Sequence, residues 1–105
     1  MSSLRNEVVL LPVPFTDLSS RKVRPAVVVG RELRHGDLFI VPISSQGMNT
    51  DFPLQDWKLA GLNVPCGVKA QLATVAAGLV LKTVGRLTVA DQTALDQRLR
   101  QWLNL

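Results

Sequence analysis

The chain has 105 residues, 47% of them apolar, and twelve lysines and arginines against eight acids give it a formal net charge of +4. That length serves one small hydrophobic core, and that apolar content excludes a disordered chain. Residues 8–15 form the longest uninterrupted apolar run, interrupted in conformation by two prolines and far short of a membrane-spanning helix, while the positive balance favours an acidic partner, nucleic acid or acidic protein.

Residues 7–13 read as a buried strand, 25–29 as a second and 38–43 as a third, each rich in β-branched residues or leucine and bounded by turn residues. A loop over 18–23 is long enough for a flap beside a site, and His35-Gly36-Asp37 makes a short hairpin connection. Residues 46–65 are polar and irregular, with Phe52-Pro53-Leu54 adding a short edge strand and Asp56 to Gly61 a single helical turn stopped by glycine. Strands return over 68–72 and 79–87.

Thr88 is placed as the N-cap of a final helix, with Asp91 three residues on as a capping-box-like partner. Leu95, Leu99, Trp102 and Leu103 share one core-facing side of that helix, whereas Arg98 and Arg100 fall with Asp91 and Asp96 on a solvated face. The prediction is a single domain over residues 1–105 of α+β, mainly-β class: a small, strongly curved sheet or barrel with a C-terminal helix.

The residues narrow the chemistry by exclusion. One cysteine and one histidine provide no zinc-ligand spacing, the glycines form no phosphate loop, and no dense carboxylate cluster is present to hold magnesium, so metal catalysis is disfavoured and no cofactor is expected. A Ser-His-Asp system would need His35, in a turn, and there is no nucleophile elbow. Cys66 has no nearby activating base in sequence and reads as a bystander thiol. With a lone cysteine and no basic-then-apolar leader, a reducing cytoplasm is the simplest compartment.

Arg21, Lys22 and Arg24 crowd together beside one acid, Asp17, just before an apolar run. Pro25 restricts Arg24 to an extended backbone, which gives its guanidinium a defined direction, and a directed cationic fork suits phosphate. Three segments in this order, Pro-Val-Pro-Phe-Thr-Asp-Leu (12–18), Val-Arg-Pro-Ala-Val-Val-Val (23–29) and Val-Pro-Ile-Ser-Ser-Gln (41–46), resemble toxins of the MazF/PemK/Kid family. The likeness continues more weakly through Gly85-Arg86-Leu87 and the final helix.

The resemblance implies an SH3-like barrel of the CcdB/PemK type, a homodimer, an acidic antitoxin as partner, and metal-independent endoribonuclease activity on single-stranded RNA. Arg24 matches the family's Arg-Pro arginine, and Ser44 stands where the family usually has a catalytic threonine; both are the catalytic candidates. The family often gives that arginine acid/base work, while its permanently high pKa favours stabilising charge. Thr16, Asp17, Ser19, Arg21, Lys22, Ser45, Gln46, Lys69 and Gln71 are the RNA-binding candidates.

The chemistry agrees with this toolkit, because RNA brings its own nucleophile, the 2′-hydroxyl, and the protein need only orient it and stabilise the charge that builds on the phosphate. Departures from the family pattern are also visible. A loop glutamate near Ser19 is absent, Lys69 and Gln71 stand where relatives often present an arginine or apolar residue and an aspartate, and Asn6-Glu7 replaces a usual Gly-Asp. Two tryptophans and no tyrosine offer no evident base-stacking platform; Trp102 is assigned to the core and Trp57 is an interface candidate. Two other classes stay open: a gyrase-binding toxin of the CcdB type acting through its C-terminal helix, and an inactive relative serving as a binding module.

Overall fold

In the computed structural model, which describes residues 3–12, 22–47 and 50–105, the three apolar runs of the N-terminal half become the central strands β1 (Glu7–Pro12), β2 (Val23–Arg31) and β3 (Leu38–Ser44). β1 and β2 pair antiparallel from Val8↔Val27 to Pro12↔Val23, and β2 and β3 from Ala26↔Pro42 to Arg31↔Leu38, with a register shift between Val28 and Gly30. β2 therefore starts two residues earlier than the sequence suggests and runs longer.

Alternation along these strands sends side chains to two faces, and both faces are covered. Val8, Val27, Val41 and Ile43 join Phe52, Leu54, Ala60, Val68, Leu87 and Leu95 in one buried cluster. Val9, Leu11, Ala26, Val28, Leu38 and Ile40 join Val75 in a second. Burial on both sides explains why the strands read as near-continuous apolar runs, without the polar alternation of a half-exposed sheet.

β7 (Lys82–Arg86) pairs with the free edge of β1, and β4 (Phe52–Pro53) pairs with β5 (Gly67–Val68). The outer edge of β3 is shared: β5 takes Ile43 and Ser44, and β6 (Ala73–Val75) takes Leu38 to Ile40. Among the described residues the seven strands are all antiparallel, in the order β4-β5-β3-β2-β1-β7 with β6 also on β3, and with the terminal helix they give the α+β, mainly-β class. Among the described residues no helix is long and apolar enough to cross a membrane.

The strand expected over 68–72 is broken. Five steps along the chain, Val68 to Ala73, cover only three on β3, Ile43 to Ile40, so residues 69–72 bulge out of the ladder between β5 and β6. The strand expected over 79–87 is likewise shorter. Its start lies in a 3₁₀ turn, Ala77–Leu79, and pairing begins in earnest at Lys82.

Helix α1 (Val89–Leu103) starts at Thr88, whose hydroxyl accepts the Asp91 N–H, and ends at Asn104 in the left-handed conformation. Asp91 does not complete a capping box. Asp91 is 2% exposed, and its carboxylate accepts the backbone N–H groups of Gln55 (3.0 Å) and Asp56 (2.8 Å), while the Thr88 hydroxyl donates to Asp56 Oδ2 at 2.8 Å. The helix start is thus tied to the irregular segment that crosses the first cluster. Leu95 is buried, Leu99 and Trp102 pack against that cluster, and Leu103 is exposed, which removes it from the expected core face.

Trp57 also packs on the first cluster and, like Trp102, stays partly exposed. Nor is the basic side of α1 wholly solvated. Asp96 pairs with Arg100 and with Arg5 near the N-terminus, but the Arg98 guanidinium stacks over Phe52 at 5.6 Å and donates to the Asp51 carbonyl at 3.3 Å. Two backbones cross without room for a side chain at Gly61 and Gly85: a Cβ on Gly85 would lie 2.0 Å from the Ala60 carbonyl oxygen, and one on Gly61 2.2 Å from that of Val84.

Candidate nucleic-acid interface

Arg24 is the second residue of β2, opposite Leu11, and Pro25 directly follows it inside the strand. The proline costs β2 a backbone donor at the sheet's end, where the ladder to β3 has already stopped. The last β2–β3 pair is Ala26↔Pro42; the same register carried two residues further sets Arg24 across from Ser44. Residues facing each other across antiparallel strands share a face, so both project with Ala26 and Leu11, on the side of the second cluster. Arg24 is exposed and Ser44 half-buried.

The row continues beyond Ser44. Ser44 pairs with Gly67, and Gly67 with Pro53. Glycine there is a packing requirement, since a Cβ would come within 2.7 Å of the Phe52 carbonyl oxygen and 2.9 Å of Thr50 Cβ.

Ser44 Oγ accepts the Gln46 N–H at 3.1 Å. This turn bond uses an oxygen lone pair and leaves the hydroxyl proton as a donor for a ligand oxygen. Ser45 and Gln46 follow the strand and are exposed, as is Lys22 ahead of β2. Thr16, Asp17, Ser19 and Arg21 lie outside the described residues.

One row inward, Lys69 donates its backbone N–H to the Pro42 carbonyl at 2.9 Å, which places Lys69 beside Pro42 on the same face as Ser44. Lys69 is half-buried. Gln71, exposed, sits at the outer part of the bulge. The structure thus gathers Arg24, Ser44 and Lys69 from three elements distant in sequence, with Ser45, Gln46, Lys22 and Gln71 at the margin.

Sequence reasoning passed over Asp51. Its N–H donates to the Val68 carbonyl at 2.9 Å, continuing the β4–β5 ladder by one residue and bringing it next to Lys69. Its carboxylate Oδ2 accepts the Ala70 N–H at 2.8 Å. The signal was an acid directly ahead of Phe52-Pro53-Leu54, the short edge strand already expected there.

Other chemistry is less favoured by the geometry. Burial pushes the Cys66 thiol above its ordinary pKa, which disfavours the thiolate, and His35 is exposed in the Leu33–His35 turn with its backbone N–H on Glu32 Oε2. Among the described residues no three His, Cys, Asp or Glu side chains gather in a way that would hold a metal ion. A hollow of about 230 Å³ lined by Ser3, Leu4, Arg5, Val28, Gly30 and Arg31 lies at the far end of β2. Its arginines are engaged, Arg5 with Asp96 and Arg31 with the Ser3 carbonyl.

The model of a family described as PemK-like, MazF-like toxin of type II toxin-antitoxin system matches residues 4–103. No curated protein matches the chain.

Proposed function

From its membership of the PemK-like, MazF-like toxins of type II toxin-antitoxin systems, a family to which residues 4–103 assign the chain and which implies an antitoxin partner, we propose that the protein is a sequence-specific endoribonuclease. It cleaves single-stranded RNA without a metal ion, arresting translation and growth. The observation that carries this reading is that Arg24 and Ser44 lie on one face at the same strand end, each two residues past the last β2–β3 pair.

In the proposed reaction the substrate's 2′-oxygen attacks the adjacent phosphorus, the bond from phosphorus to the 5′-oxygen breaks, and the products end in a 2′,3′-cyclic phosphate and a 5′-hydroxyl. The 2′-hydroxyl gives up its proton and the departing 5′-oxygen gains one. Arg24 presents a fixed positive fork to the non-bridging oxygens, whose negative charge grows in the transition state, and the Ser44 hydroxyl donates to one of them. Removing one such donor typically costs about 2.7–4 kcal/mol of barrier. Lys22 and Lys69 hold neighbouring phosphates as point charges, and Ser45, Gln46 and Gln71 offer donors and acceptors to base edges. Thr16, Asp17, Ser19 and Arg21 supply further RNA contacts.

The net charge of +4 supports both an RNA substrate and an acidic antitoxin segment that competes for the same face. A cytoplasmic homodimer is the working form of this proposal. The test is cleavage of a long unstructured RNA in excess chelator by the wild type and by Arg24→Ala. Wild-type cuts with cyclic phosphate ends, weakened at least a hundredfold in the variant, are expected; no cutting, or equal cutting by both, overturns the proposal.

A further inference from the structure

The bulge at residues 69–72 poses a local problem. Where the chain leaves β3, its backbone groups lose their ladder partners, yet this segment carries Lys69 and Gln71, whose directions decide what they can touch. Two ties stay within the sheet or the bulge: Lys69 N–H to the Pro42 carbonyl, and Gln71 N–H to the Lys69 carbonyl at 2.8 Å. The Ala70 N–H between them is taken by the Asp51 carboxylate at 2.8 Å, a charge-assisted bond from outside the bulge.

Asp51 is itself held at both backbone ends. Its N–H is on the Val68 carbonyl, and its carbonyl receives Arg98 Nη1 from α1, with the same guanidinium stacked on Phe52. The helix, the start of β4 and the bulge are thus joined through one side chain. The amide that Asp51 holds belongs to the Lys69–Ala70 peptide, and the Gln71 N–H donates back to the carbonyl of that same peptide, so holding this unit holds the turn that carries Gln71.

We propose that Asp51 is a specificity-determining positioning residue: by clamping the Ala70 amide it fixes the bulge so that Gln71 reads a base edge of single-stranded RNA while Lys69 holds the neighbouring phosphate. The inference rests on the RNA-cleaving reading of the same face. A glutamine amide presents an N–H donor beside a carbonyl acceptor, the pairing that an adenine edge complements, but only if its backbone is held still. Asp51 acts through the bulge and need not touch RNA.

The test compares Asp51→Ala, Asp51→Asn, Gln71→Ala and the double variant Asp51→Ala/Gln71→Ala, each first checked for folding by thermal melting and by the amide NMR signal of Ala70. Cut sites on a long RNA are sequenced, and kcat and KM are measured on a short oligonucleotide carrying the preferred site. Asp51→Ala should shift the Ala70 signal, broaden the cut-site preference and raise KM about tenfold, the size of one good side chain–base contact, with a smaller change in kcat. Asp51→Asn, which keeps an acceptor oxygen at the same reach, should restore preference and KM. The double variant should be no broader than Gln71→Ala alone.

An unchanged cut-site distribution in a folded Asp51→Ala overturns the inference and leaves the nuclease reading intact, as do losses at Asp51 and Gln71 that simply add. If the wild type cuts nothing, the nuclease reading fails, and the inference is judged by binding of 2′-O-methyl homopolymer oligonucleotides. A base preference that flattens in Asp51→Ala then upholds it; none in the wild type overturns it.

Discussion

Arg24 and Ser44 stand at the same end of neighbouring strands, each two residues beyond the pair Ala26↔Pro42, and on the same face of the sheet. Two donors so placed can address one phosphate together, and groups that act on one transition state lose their effects non-additively when removed. Arg24→Ala and Ser44→Ala should each slow single-turnover cleavage about a hundredfold or more, and the double variant should be far less damaged than the product of the two. Arg24 is exposed, so its removal should leave the melting temperature nearly unchanged. Fully multiplicative losses would mean that the two side chains serve separate steps.

Asp91 should dominate the stability of the helix junction. Its buried carboxylate satisfies the amides of Gln55 and Asp56, and truncation leaves both donors short of a partner. Asp91→Ala should cost about 2–4 kcal/mol, measured by urea unfolding, with Thr88→Ala costing about 1 kcal/mol through loss of its cap and its bond to Asp56. A cost below that of Thr88→Ala would show that water replaces the carboxylate without penalty.

These two sites differ in how far the residues announced them. The three central strands were visible because burial on both faces forces continuous runs of Val, Ile and Leu, and the final helix because Thr88 and the leucine spacing mark it locally. Arg24 and Ser44 became candidates through short motifs that resemble a known family, and the structure puts both at strand ends. What stayed hidden depends on contacts distant in sequence. The bulge at 69–72 arises from how β5 and β6 divide the edge of β3, Asp91 turns from its own helix end to residues 35 and 36 positions away, and Asp51 meets Ala70 across 19. No local pattern encodes such partners, although the short edge strand at Phe52 was the place to look.

Cys66 sets a pH signature. Burial raises its pKa in the folded protein above that of the unfolded chain, so the folded state holds the thiol proton over a window where the unfolded state has lost it. The stability this contributes is fully present below the unfolded thiol pKa, about 8.5, and is lost as pH rises through the folded value. Iodoacetamide should therefore modify Cys66 more slowly in the native protein than in urea at pH 8–9, with the native rate rising at higher pH than the denatured one. Equal pH midpoints in the two states would show that the thiol is effectively solvated.

Gly85 tests the tightest crossing in the fold. Its φ lies outside the left-handed region, so strain does not require glycine there; the Ala60 carbonyl oxygen does, at 2.0 Å from where a Cβ would sit, with the Ala60 carbonyl carbon at 2.6 Å. These are backbone atoms that cannot rotate aside, so β7 and the Ala60–Gly61 segment would have to separate, weakening the first cluster where Ala60 and Leu87 are buried. Gly85→Ala should destabilise by about 3 kcal/mol or more by thermal or urea unfolding. Gly78→Ala is the control, because a Cβ there meets nothing within 4 Å and should change stability by no more than about 0.5 kcal/mol. If the two substitutions cost the same, the crossing is looser than its distances indicate and Gly85 is dispensable to the packing of β7.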